Sequence, residues 1–320
     1  MTDRTHKREQ FPDGNEEPKY INPMIDFGFK KIFKESGKKQ LLIRPLNAIF
    51  GLEIVDLEIG ESEQQGETKE DRNASFDLYC TSSDGKKFIV EVQLAMQEYF
   101  LERALYYTSF PITRSVRKGR WNFDFPPVFF LGLLNFNFRD LRGHDSSPAD
   151  CFIHCFSLRD DVTGRQMTDH LRFAFLEISR FDRPMEACES FEEKFLYMMK
   201  NLPKFAEKPA LWDDPYFADL LEEAEYAQMN SQEKEQYRKA MRRDWDYWNT
   251  IDYARKEGKE EGHAEGLAEG EAKAKQAIAL RLLAAGLSVE AVATGTALTV
   301  EQVHALQNAK PEESPAPADC

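Results

Sequence analysis

Two acids and an amide interrupt the apolar runs of ASFDLYCTSSDGKKFIVEVQ, residues 74–93. Asp77 lies in the first run, Glu91 in the second, and Gln93 two residues beyond it. Carboxylates brought together in such surroundings repel one another, and burial raises their pKa values. A divalent cation relieves both penalties. Carboxylates, water and a main-chain carbonyl are the ligands that a hard ion such as Mg²⁺ prefers. An ion held there activates water and steadies the charge on a phosphate in transfer. The plainer alternative is a pair of edge acids facing solvent.

Whether the acids meet depends on the hairpin that carries them. A two-residue turn at Asp84-Gly85 would set Asp77 opposite Val92, on the wrong face. A three-residue loop, Ser83-Asp84-Gly85, sets Asp77 opposite Glu91, with Gly85 at the position that needs a positive φ. The three-residue register is therefore expected. It gathers Phe76, Leu78, Cys80, Phe88, Val90 and Val92 on one apolar face and Asp77, Glu91 and Gln93 on the other.

The elements around the hairpin follow from periodicity. Helices are expected over 23–35 and 38–50, with Pro45 a local irregularity, and a strand over 53–59. An acidic loop spans 61–72. The hairpin strands cover about 74–81 and 86–94, and a long helix with a kink at Pro111 covers 97–118. Residues 127–138 form an almost unbroken apolar run, typical of a strand covered on both faces. Strands at 150–158 and 172–178 follow, and from about residue 185 the pattern is helical. Gly258, Gly262, Gly266 and Gly270 recur every fourth residue in EGKEEGHAEGLAEGEAKAK. They read equally as one stripe of a helix or as a flexible charged linker. Three short helices follow, with Ser288 and Thr299 as N-caps.

The chain has 320 residues, 42 % of them hydrophobic and 31 % charged, enough for one large domain or two modest ones. Five cysteines fit a reducing, cytoplasmic setting without a disulfide framework. No apolar run is long enough to cross a bilayer, and no membrane partner is expected. The net charge of −14 argues against a protein that coats nucleic acid. Local charge differs. Residues 30–44 carry Lys30, Lys31, Lys34, Lys38, Lys39 and Arg44 against Glu35 alone. Residues 103–120 carry Arg103, Arg114, Arg117, Lys118 and Arg120 with no acid. Each run reads as a DNA-facing surface or as a solvated helix face.

With the acids placed, the surrounding motifs carry a resemblance. DFGFKKIF (26–33), FDLYC (76–80), VEVQ (90–93), FLERALYY (100–107), GLLNF (132–136) and the glycine-spaced tail before LLAAGLSVEAVA together resemble the Rpn-type recombination-promoting nucleases and transposases of the PD-(D/E)XK superfamily. The likeness covers about 20–180 and 250–306. It implies an α/β restriction-endonuclease-like core, a mixed central sheet flanked by helices, followed by an α-helical C-terminal region. It also implies endonucleolytic, Mg²⁺-dependent cleavage of DNA, with Mn²⁺ as a substitute ion. It maps the metal ligands onto Asp77 and Glu91. Gln93 stands where many relatives have lysine and can position water only by hydrogen bonds. Phe76 replaces the proline of the superfamily name. Asp26 adds a carboxylate through a water, or is a surface acid paired with Lys30 at i+4. DNA contacts are expected from Lys30, Lys31, Arg103, Tyr107, Arg114 and Arg117, although Arg103 and Tyr107 also read as a partly buried pair.

The expected organisation is a disordered 1–20, a nuclease-like domain at 21–185, a helical region at 186–255, the glycine-spaced helix and small helical element at 256–308, and a disordered 309–320. The final helices carry too little positive charge for a DNA reader and read as packing or homo-oligomerisation elements. Cys151, His154 and Cys155 suggest zinc, but on a strand the cysteines face one side and the histidine the other. No nucleotide-binding glycine loop is present.

Overall fold

Gly85 adopts φ 89° and its N–H bonds the Ser82 carbonyl at 2.8 Å, which closes the hairpin through the expected three-residue loop. In the computed structural model, described for residues 17–61, 63–64, 74–115, 122–137, 150–210 and 212–308, this hairpin lies within a mixed sheet. Strands β1 (Leu57–Ile59), β4 (Leu78–Ser82), β5 (Lys87–Gln93), β6 (Val128–Leu134), β7 (Ile153–Ser157) and β8 (Leu171–Glu177) run in the order β1-β4-β5-β6-β8-β7. A separate short ladder joins β2 (Glu63–Gln64) to β3 (Ala74–Ser75). β5, β6 and β8 are mutually parallel, and the outer pairings are antiparallel. Every residue of β6 is buried, as its unbroken apolar sequence requires.

Helices cover both faces. On one lie α1 (Asp26–Lys30), which continues as a π-helical turn over Lys31–Glu35, then α2 (Gln40–Phe50), α4 (Phe191–Asn201) and α5 (Pro215–Glu223). Phe29, Leu46, Phe195 and Phe217 from these helices pack with Leu78, Cys80, Phe88 and Val90 of the hairpin. On the other face α3 (Phe100–Arg114) buries Phe100, Ala104 and Phe110 against Ile89, Phe130 and Phe175. α3 runs through Pro111 without interruption; the end of its expected span, 116–118, lies outside the described residues.

Residues up to Asp244 form one compact unit, so the helices after 186 share their core with the sheet. Of the expected disordered start, 1–16 lie outside the described residues. Tyr20 is buried and bridged to Glu225. The tail 309–320 lies outside them too.

The second unit begins at Trp245. The glycine-spaced segment is continuous helix within α6 (Ser231–Ala284), not a linker. Its C-terminal end packs with α7 (Val289–Thr296) and α8 (Val300–Asn308) around Ala279, Val292 and Val303. Ser288 Oγ accepts the Ala291 N–H at 3.3 Å and Thr299 Oγ1 the Gln302 N–H at 3.2 Å, the two caps expected. Among the described residues, no helix is long and apolar enough to cross a membrane.

Candidate active site

The register of the β4–β5 ladder, Leu78 against Val90 and Cys80 against Phe88, carries Asp77 opposite Glu91. The Asp77 N–H donates to Glu91 Oε1 at 3.3 Å, and the Val92 N–H donates to Asp77 Oδ2 at 2.7 Å. Each acid thus accepts a main-chain hydrogen bond from beside the other. Glu91 is 6 % exposed and shares the α3 side of the sheet with Ile89, while Val90 and Val92 point to the opposite core.

One part of the expected pattern differs. Phe76 does not join Leu78 and Cys80. The chain bends at Asp77, before β4 begins, and breaks the alternation. Phe76 therefore turns to the α3 side, where its ring meets Tyr107 at 5.0 Å and Phe110 at 6.3 Å. The same bend frees the Asp77 carboxylate from strict strand geometry and lets it reach back to the Val92 N–H.

Helices from both layers complete the cluster. α1 brings Asp26, whose carboxylate acts on Asp77, and Lys30, whose Nζ lies 2.5 Å from Asp26 Oδ1. Asp26 thus makes the i+4 pair with Lys30 expected of a helix-surface acid, and its charge reaches Asp77. α1 is pinned from behind. A Cβ on Gly28 would lie 2.0 Å from the Asn22 carbonyl oxygen, so the helix backbone presses directly on the preceding turn. Asn22 is itself held, its N–H donating to Tyr237 Oη at 2.9 Å. From the other layer, α3 brings Arg103, whose charge acts on Glu91, and Tyr107 one turn on, whose phenol feels the Glu91 charge. The Arg103 guanidinium also donates to Gln97 Oε1 at 2.5 Å.

The electrostatics follow from this packing. Burial pushes Asp77 up to about 6, and the Asp26 carboxylate adds to the rise, while the Val92 N–H and Lys30 oppose it. Burial pushes Glu91 up to about 8, reinforced by Asp77. Arg103, the Asp77 N–H and Gln93 pull against it. Burial and Glu91 likewise raise Tyr107. The pair is under-compensated by its protein partners, and its donors are all oxygen. That chemistry suits a hard divalent ion, which protonation otherwise replaces. Among the described residues, no three His, Cys, Asp or Glu side chains converge as a ready-made cage. An ion on Asp77 and Glu91 would complete its shell with water, main-chain carbonyl and substrate oxygen, as Mg²⁺ commonly does.

The basic runs fare unequally. Lys31 is taken up by Glu233 at 2.5 Å, Lys39 by Asp56 at 2.7 Å, and Lys38 by Asp219, Glu222 and Glu223. Arg44 grips Asp214 with both guanidinium nitrogens, at 2.5 and 2.6 Å. Much of the 30–44 run therefore serves internal ion pairs, and Lys30 is the member the structure joins to the acids. Arg114 ends α3 and acts on Tyr79, three helical turns from Arg103. Arg117 lies outside the described residues.

A second buried acid went unread in the sequence. Glu177, fully buried at the end of β8, meets His154 Nε2 at 3.1 Å and Arg180 Nη1 at 2.7 Å. Its position at the end of an apolar strand run, like that of Glu91, was the available signal. Cys151 precedes β7 and so escapes the strand alternation expected of it, with Sγ 4.0 Å from His154 Nδ1. Cys155 is exposed.

A sandwich of this topology, with paired acids on the hairpin leading into its parallel strands, has the architecture of a restriction-endonuclease-like core. The family described as PD-(D/E)XK nuclease family transposase matches residues 23–254, and the chain belongs to that family. No curated protein and no solved structure matches the chain.

Proposed function

We propose that the protein is a metal-dependent DNA endonuclease of the Rpn, transposase-like kind, whose cuts promote recombination. The observation that carries this reading is the Asp77–Glu91 pair, a half-buried and a buried acid held face to face without enough positive charge. The family's nuclease character points the same way.

In this reading Asp77 and Glu91 hold Mg²⁺, or Mn²⁺ in its place. When bound, the ion supplies Lewis acidity toward the phosphate and lowers the pKa of a coordinated water. The remaining roles belong to the chain. Gln93 shares its face of β5 with Glu91, and its amide oxygen can accept a hydrogen bond from the attacking water and fix its direction. Asp26 supports Asp77. Arg103 and Tyr107 border Glu91 and meet the DNA backbone, and Arg114 extends that contact along α3.

The test is plasmid nicking with Mg²⁺ beside Glu91→Ala and an EDTA control. Nicking by the wild type that vanishes in both controls supports the reading. Plasmid left intact in every lane, with Mg²⁺ or Mn²⁺ and with several DNA forms, refutes it. Gln93 in place of lysine favours a second reading, a DNA-binding or oligomerising protein that keeps the fold without the chemistry. DNA binding unchanged by Asp77→Ala, with no cleavage, would establish that one.

A further inference from the structure

Phosphodiester hydrolysis adds negative charge to a phosphoryl group that here must lie beside two carboxylates. The family description names a lysine two residues after its second acid, and this chain has Gln93 there, an amide without charge. The charge must come from elsewhere in the fold. Among the described residues, the cations that act on the acid pair are Arg103, on Glu91, and Lys30, on Asp77. They differ in availability. Arg103 is drawn to Gln97 at 2.5 Å, and its guanidinium lies 5.8 Å from the centre of the Phe100 ring. Lys30 has Asp26 as its counter-ion, 2.5 Å away, and both charges lie close enough to act on Asp77.

The resulting chain, Lys30 to Asp26 to Asp77, fixes an ammonium at the border of the acid pair. The Lys30 side chain is 31 % exposed, so the ammonium is anchored on one side and open to an incoming phosphate on the other. An ammonium has three donor hydrogens, and Asp26 need occupy no more than two. Lys31, the next residue, is turned away to Glu233, so proximity in sequence does not explain the arrangement.

We propose that Lys30, delivered from α1 on the far layer from α3, supplies the positive charge that position 93 lacks. It donates to a non-bridging oxygen of the scissile phosphate, and Asp26 is its positioning residue. Gln93 and Lys30 thereby divide between two elements what a single lysine on β5 would combine. This inference rests on the nuclease reading above.

The experiment compares wild type, Lys30→Gln, Gln93→Lys and the double variant in single-turnover plasmid nicking at saturating protein with Mg²⁺. DNA affinity is measured separately by fluorescence anisotropy in EDTA, and folding by thermal melting. Loss of one preorganised donor to the transition state predicts that Lys30→Gln nicks about 100-fold more slowly. Its DNA affinity should change less than about threefold, because one phosphate contact among several is altered. The double variant should regain most of the lost rate, since Gln93→Lys returns an ammonium to the site. Lys30→Gln at the wild-type rate would overturn the proposal. So would a loss explained by affinity or by failure to fold, or a double variant no faster than Lys30→Gln while Gln93→Lys alone is active. A wild type that never nicks removes the nuclease reading itself, and this inference with it.

Discussion

The two buried acid centres make opposite use of burial. Glu177 is wholly enclosed and is met by the imidazole of His154 and the guanidinium of Arg180. Asp77 and Glu91 are enclosed against one another, with cations reaching them only from the margins. A buried carboxylate with close partners ties strands and turns together. A buried pair with too few partners holds unfavourable free energy that a ligand can relieve. On the nuclease reading proposed above, the first centre serves the integrity of the sheet and the second the chemistry.

Substitution at Glu91 should produce the largest effect. Glu91→Gln should lower the nicking rate at least ~10³-fold, about 4 kcal/mol of transition-state stabilisation. The same change removes repulsion with Asp77, so the metal-free variant should melt at or above the wild-type temperature. A variant that keeps its rate, or that melts well below the wild type, would erase the distinction between the centres.

Glu177→Ala should do the reverse. Removing the acid takes from the half-buried Arg180 guanidinium and His154 imidazole the enclosed carboxylate they share, a loss of about 3 kcal/mol in unfolding free energy. Urea denaturation measures it. In variant that remains folded, nicking per folded molecule should be unchanged, and a specific loss of rate would place Glu177 in the chemistry instead.

The response to pH sharpens the comparison further. Asp77 and Glu91 retain protons to higher pH in the folded chain than in the unfolded one. Their contribution to stability is therefore full below about pH 4, the ordinary carboxyl range, and is lost as pH rises through the folded values. Those values are about 6 for Asp77 and about 8 for Glu91. The metal-free protein should lose melting temperature across this window, and Mg²⁺, which binds the deprotonated pair, should restore more of it the higher the pH. Asp77→Asn/Glu91→Gln should flatten the curve. A wild-type curve that parallels the double variant would show that the pair is not strained.

How much of this was legible in the sequence depends on how local each cause is. The hairpin register could be read because Gly85 falls where a three-residue loop needs a positive φ, and the loop sets every pairing behind it. The side taken by Phe76 could not, because the bend at Asp77 answers to a hydrogen bond with Val92 and to rings on α3. The basic run at 30–44 was visible as charge. Its occupation was not, since Arg44 finds Asp214 170 residues away and Lys31 finds Glu233 202 residues away. Gly258 to Gly270 had two readings because glycine weakens a helix by about 1 kcal/mol each without forbidding it. His154 and Glu177 were invisible as a pair because they come from neighbouring strands 23 residues apart in sequence.

The contact at Gly28 has a consequence for how the protein can change. A single methyl group there would meet the Asn22 carbonyl, so even alanine must push α1 off its seat. Phe29, the next residue of the same helix, packs against Leu78, Cys80, Phe88 and Val90, so the apolar face of the hairpin would feel the shift as well. Asp26 and Lys30 ride on the displaced helix. One added carbon could thus silence the site from behind without any change to Asp77, Glu91 or Gln93 themselves.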